Sequence, residues 1–138
     1  MLTLTSAPAD PAPDCDLCPR LVAFRKESQL KNPDWFNGAV GSFGDPKARL
    51  LIVGLAPGLT GANRTARPFT GDFAGDLLYQ TLAEFGFSTG TYDKRADDGV
   101  ILNDCRITNA VRCVPPQNKP IGAEVKTCRQ FLIGQLSQ

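Results

Sequence analysis

Two groups of residues carry types and spacings that could do chemistry. Cys15 and Cys18 frame the stretch Cys15-Asp16-Leu17-Cys18, and Cys113 and Cys128 follow further on with fourteen residues between them. A CxxC brings two sulfurs onto one edge of an ion or cluster. Pro115, Pro116 and Pro120 stiffen the later loop, so Cys113 and Cys128 can return to the same point. Four thiolates suit a structural zinc or an iron–sulfur cluster. Two solitary partners so far downstream depart from the compact zinc-ribbon pattern, which leans toward a cluster. The other reading makes Cys113 and Cys128 buried core thiols. Cys105 falls in a strand pattern and reads as core.

The second group lies in GLAPGLTGANRTARPFTGDFAGD, residues 54–76, which follows a continuous apolar run, RLLIVGL. Ligands of open α/β sheets bind beyond the carboxyl ends of the strands. The glycines permit close backbone approach, and a helix N-terminus at the end of the loop favours anions. Arg64 and Arg67 offer cations, Phe69 a flat face, and Asp72 and Asn109 polar groups near loop or strand ends. The loop is neither a Walker loop nor a GxGxxG fingerprint. Asp72 directly before an apolar helical run is also what a helix N-cap looks like.

The elements that must hold these residues follow from periodicity. Residues 49–55 read as a strand covered on both faces. Phe73, Leu77, Leu78, Thr81, Leu82 and Phe85 fall at helical spacing, with Gly86 as the stop. Strand, Gly-rich loop and helix make the first half of a βαβ unit. Leu21, Val22, Phe24 and Arg25 start a helix after Pro19, residues 32–46 read as loop with one short strand, 100–102 and 106–111 as strands, and Gly122 opens a last helix. Residues 1–14 hold three prolines and little to bury, and are expected to be a disordered tail.

Length and composition bound the rest. The 138 residues make about one domain. Lys and Arg total 15 against 14 Asp and Glu, which excludes a uniformly basic nucleic-acid binder and leaves room for a local basic face. Histidine is absent, so a zinc protease, a Ser-His-Asp hydrolase or a Cys-His enzyme cannot be completed from these residues. No run approaches the roughly 18 apolar residues of a membrane helix, and no signal-peptide pattern opens the chain. A cytoplasmic protein is expected.

Residues 54–78, together with TNAVRCVPPQNKP and a downstream TCRQFL, resemble the uracil-DNA glycosylase superfamily, most closely its family 5 (type b) enzymes. The resemblance covers roughly residues 15–132. It implies a three-layer α/β/α domain with a central, mostly parallel four-stranded sheet. It also implies a four-iron–four-sulfur cluster on Cys15, Cys18, Cys113 and Cys128. Relatives of family 4 carry an acidic residue after the first glycine of the strand-end motif. Here that position is Leu55 and its neighbour Ala56, so Asp72 becomes the candidate catalytic carboxylate. Phe69 matches the aromatic that stacks on a flipped base, and Asn109 the residue that reads the uracil edge.

The implied activity is DNA repair, as a monomeric, nucleoid-associated hydrolase that flips uracil, and in a wider range other deaminated bases, out of DNA and cleaves the N-glycosidic bond. Gly54, Ala56, Pro57, Gly58, Asn63 and Phe69 would line the base site, with Arg64 and Arg67 on DNA phosphates. The superfamily's histidine loop has no counterpart in this sequence. That favours a truncated chain in which 15–138 form an incomplete domain lacking its last strand and helix. The alternative is a catalytically silent iron–sulfur module that binds nucleic acid.

Overall fold

The computed structural model describes residues 8–137, so residues 1–7 of the expected tail lie outside it. Pro19 occupies the first turn of helix α1 (Pro19–Lys31), where its missing N–H is no loss. Two short strands follow, β1 (Phe43–Gly44) and β2 (Leu50–Gly54). After β2 come a single helical turn, α2 (Ala62–Thr65), and the longer α3 (Phe73–Glu84). The hairpin strands β3 (Ser88–Thr89) and β4 (Ile101–Leu102) lead into β5 (Cys105–Asn109), and α4 (Gly122–Leu136) closes the order.

The apolar run and the helical spacing thus produce the expected strand, loop and helix. The sheet departs from a parallel pattern at β1. It has three strands among the described residues, in the order β1-β5-β2, and is mixed: β2 runs parallel to β5, and β1 antiparallel. The α/β class holds, while the four-stranded, mostly parallel arrangement is not seen among the described residues. β2 lies at an edge among the described residues, and Leu50 and Val53 are exposed rather than covered on both faces. The β2–β5 register pairs Gly54 with Asn109, so the two carboxyl ends finish side by side.

One apolar cluster joins Tyr79 and Leu82 of α3 to Cys105 and Ile107 of β5. The helical spacing matches α3, and of its apolar positions Leu82 is buried and Leu78 packs on the core. Phe73, Leu77 and Phe85 are exposed, while Gly75, Tyr79 and Leu82 face inward. A second cluster gathers Leu21, Ala39, Val111 and Cys113, with Val125 of α4 against it.

The tail expected to end at residue 14 already joins the fold at Asp10. Its carboxylate accepts from the Ser42 amide at 2.9 Å and from Arg112 at 2.6 Å, and Pro13 accepts from the Ala39 amide. No helix among the described residues is long and apolar enough to cross a membrane.

Candidate base-binding cleft and four-cysteine site

The carboxyl ends of β2 and β5 open into a cleft of about 410 Å³. Ala56, Pro57 and Gly58 form one wall, and Phe69, Asp72 and Asn109 reach it from the following loop, the start of α3 and the end of β5. Asn109 is buried, yet among the described residues no hydrogen bond engages its side-chain amide, so both donor and acceptor are left for a ligand. The N–H groups of Ala56 and Gly58 likewise have no protein partner among the described residues. Gly54 lies beneath. A Cβ built there would meet Asn109 Oδ1 and Phe69 Cζ, each at 2.5 Å, so only glycine lets the two side chains converge.

Phe69 sits at φ +56°, a left-handed conformation that an aromatic residue adopts only under constraint. The constraint comes from a polar cluster under the loop. The Tyr79 hydroxyl donates to Pro68 O at 2.8 Å, and the Gly71 amide donates to the Tyr92 hydroxyl at 3.2 Å. Burial pushes the Tyr79 phenol up to about 12, so it stays a donor.

Asp72 divides its two oxygens between the helix and the cleft. Its Oδ1 accepts from the Gly75 amide at 2.9 Å and caps α3. Its Oδ2 turns toward the glycines of the cleft wall, where a Cβ on Gly61 would approach it to 2.7 Å. Asp72 is the single ionisable side chain lining the cleft among the described residues. Gly61→Ala is therefore expected to push the carboxylate aside and weaken the cap by about 1 kcal/mol, read as a lower melting temperature.

Two residues are not where the sequence reading put them. Asn63 is fully buried under the loop, where its amide donates to Asn37 Oδ1 at 3.1 Å; it does not line the cleft. Arg67, expected on DNA phosphates, is 3% exposed. Its guanidinium donates to both Asp98 oxygens at 2.8 Å and lies 4.9 Å from the Phe43 ring centroid and 5.0 Å from that of Tyr79. Three aromatic rings from separate elements enclose it, which leaves no face for a phosphate. Arg64 stays exposed, 5.7 Å from the Trp35 ring centroid. Asn118, which the sequence reading did not single out, lines the cleft mouth from the proline-rich loop at φ +57°. Its signal was the left-handed preference of Asn in a proline-flanked turn.

Cys15, Cys18, Cys113 and Cys128 all line one small cavity on the other side of β5's carboxyl end. Cys18 stands at the N-terminal boundary of α1 and Cys128 lies on α4, and Arg20 ties these helices together through a bidentate pair to Glu124 at 2.7 and 2.8 Å. Burial pushes the Cys113 thiol up to about 11, against the pull of nearby Arg25. Burial also raises Cys18 and Cys128. Among the described residues no group of three or more Cys, Asp or Glu side chains is arranged to hold a metal ion. Cys105 is fully buried in the core, as its strand pattern implied.

The sequence profile of the Uracil DNA glycosylase superfamily matches residues 42–138. A type-5 uracil-DNA glycosylase of Thermus thermophilus is 45% identical over 122 residues, covering 85% of this chain and 55% of the relative. One from Pyrobaculum aerophilum is 39% identical over 127 residues, covering 89% and 56%. One from Mycobacterium tuberculosis is 44% identical over 125 residues, covering 86% and 46%. The chain spans about half the length of these relatives. A profile match across most of the sequence, reaching from β1 to α4 and including the whole cleft, places this chain in the uracil DNA glycosylase superfamily.

Proposed function

We propose that the protein to which this chain belongs excises uracil from DNA. One observation carries the reading: Phe69, Asn109 and Asp72 reach a single cleft, and the Asn109 amide there has no protein partner among the described residues. A base within a duplex must be flipped out, at a cost of a few kcal/mol, before its glycosidic bond is accessible. Stacking on Phe69 offsets about 1–3 kcal/mol of that. The Asn109 amide donates to uracil O4 and accepts from N3–H. Cytosine presents the reverse pattern and leaves buried groups unpaired.

Cleavage leaves cationic character on the sugar and an anion on uracil. The amides of Ala56 and Gly58 face the anion, and Asp72 Oδ2 orients water or stabilises the sugar cation. Leu55, exposed at the cleft, supplies no carboxylate, so this work falls to Asp72 alone. The exposed Arg64 and Lys119 contact phosphates, which makes binding salt-sensitive; Arg67 and Arg112 are too deeply buried to do so.

Cys15, Cys18, Cys113 and Cys128 are the ligands of a four-iron–four-sulfur cluster. Their donor chemistry suits it, and all four line one small cavity. When bound, the cluster acts as a rigid cross-link between the N-terminal segment and the 113–128 loop. The protein works as a monomer in the cytoplasm, on nucleoid DNA.

The test is release of free uracil from a uracil-containing oligonucleotide by the natural full-length protein. Asn is as good an N-cap as Asp, so Asp72→Asn keeps the cap and removes the charge. It is expected to slow release by about 100-fold or more at an unchanged melting temperature. DNA binding without base release by the full-length protein would contradict the reading and leave the silent binding module in its place.

A further inference from the structure

Arg112 is fully buried between the cleft and the four cysteines. Its Nε donates to the Asn109 carbonyl at 2.7 Å, and its Nη1 donates to Asp10 at 2.6 Å. Its Nη2 finds no acceptor among the described residues, although a buried guanidinium N–H left unpaired is costly. The same side chain lines the cavity of Cys15, Cys18, Cys113 and Cys128, and the Arg112 backbone N–H is hydrogen-bonded to Cys128. A second buried arginine, Arg25, donates to Cys113 Sγ at 3.4 Å. Two buried cations beside four thiols are poorly matched to neutral sulfur and well matched to an anionic thiolate assembly.

We propose that Arg112 is a positioning residue that couples the four-cysteine site to the base-reading cleft: Nη2 pairs with the anionic cluster, while Nε fixes the carbonyl of Asn109. The inference rests on the cluster assignment made above. Asn109 ends β5 and Arg112 follows three residues on, so the turn from the cleft to Cys113 is short. A shift of the guanidinium is therefore felt at Asn109. With the cluster in place, all three nitrogens of the guanidinium are satisfied and the end of β5 is held. Without it, one arm loses its partner and the restraint on Asn109 loosens.

The test compares the cluster-loaded chain with Arg112→Lys and Arg112→Gln. Three quantities are measured: iron and sulfide per chain, the rate at which an iron chelator bleaches the brown visible absorbance, and uracil affinity by equilibrium dialysis. Arg112→Gln, which removes the charge, is expected to lose its cluster about tenfold faster than the wild type. Arg112→Lys keeps the charge and holds the cluster at nearly the wild-type rate. Neither variant can hold Asn109 with a fixed fork of donors, so both bind uracil about tenfold more weakly.

A merely structural role would move both readouts together in both variants, alongside the melting temperature. That outcome would overturn the proposal, as would wild-type behaviour of both variants. A wild-type chain that takes up no iron and sulfide yet binds uracil would contradict the cluster assignment, and the coupling with it, while leaving the cleft intact.

Discussion

Asp98→Asn is expected to lower stability by about 3–5 kcal/mol, the usual penalty for stranding one partner of a buried ion pair. The Asp98 side chain is fully buried and its two oxygens accept four N–H bonds: two from Arg67, one from the Asp93 amide and one from the Val100 amide. An amide in its place turns an –NH2 group toward two donors and leaves the Arg67 charge uncompensated among Phe43, Tyr79 and Tyr92. Against a total of about 5–15 kcal/mol, that is a large share, and the melting temperature should fall by about 10–20 °C.

The pH dependence follows from the same contacts. Burial pushes the Asp98 carboxyl up, but the Arg67 fork and the two backbone amides hold it well below the usual carboxylate range. In the unfolded chain it titrates near its ordinary value of about 3.9. Its contribution is therefore complete above that value. It is lost as pH falls toward the lower folded value, because the unfolded chain takes up the proton first. The gap in melting temperature between wild type and Asp98→Asn should be widest near neutrality and close on acidification below about pH 4. Thermal unfolding across that range checks it, and a variant within 1 °C of the wild type at neutral pH would contradict it.

Gly75→Ala is expected to damage the cleft from behind. Helix propensity alone favours the change by about 1 kcal/mol. The geometry overrules that preference, since a Cβ there would overlap the Phe69 carbonyl oxygen outright and lie 2.7 Å from its carbonyl carbon. The atom struck is backbone, so no rotamer relieves it, and overpacking of this kind costs about 1–3 kcal/mol or more. Either α3 withdraws, taking the Asp72 cap with it, or the turn holding Phe69 relaxes out of its left-handed conformation. Both remove the stacking face. Loss of about 1–3 kcal/mol of stacking corresponds to about 5- to 150-fold weaker base binding. Equilibrium dialysis with uracil reads that loss, and an unchanged affinity would show that Phe69 does not hold the base.

The same residues show what the sequence made legible. The apolar run at 49–55 and the helical spacing from Phe73 predict β2 and α3, because each has a period that depends only on neighbours in the chain. Which face of α3 is buried depends on β5 and the β3–β4 hairpin, so periodicity alone chose Leu77 over Tyr79. Strand β1 is two residues long and has no period to detect. Arg67 in a Gly-rich loop reads as a solvated cation. Its burial depends on Asp98, thirty-one residues on, and on rings from three separate stretches of chain. Asn63 is a comparable case, since its partner Asn37 comes from the segment after α1. Phe69, Asp72 and Asn109 were identified by motif, and the structure adds that they converge. At Asp72 one oxygen caps the helix and the other faces the cleft, so the two readings of that residue do not exclude each other.

The central claim is that this cleft reads uracil through Asn109. The most direct measurement follows the side-chain NH2 resonance of Asn109 by NMR as uracil, and separately cytosine, is titrated into the protein. Saturable movement with uracil, none with cytosine, and loss of uracil binding in Asn109→Ala are the expected results. Equal movement with both bases, or uracil binding that survives Asn109→Ala undiminished, would contradict the account.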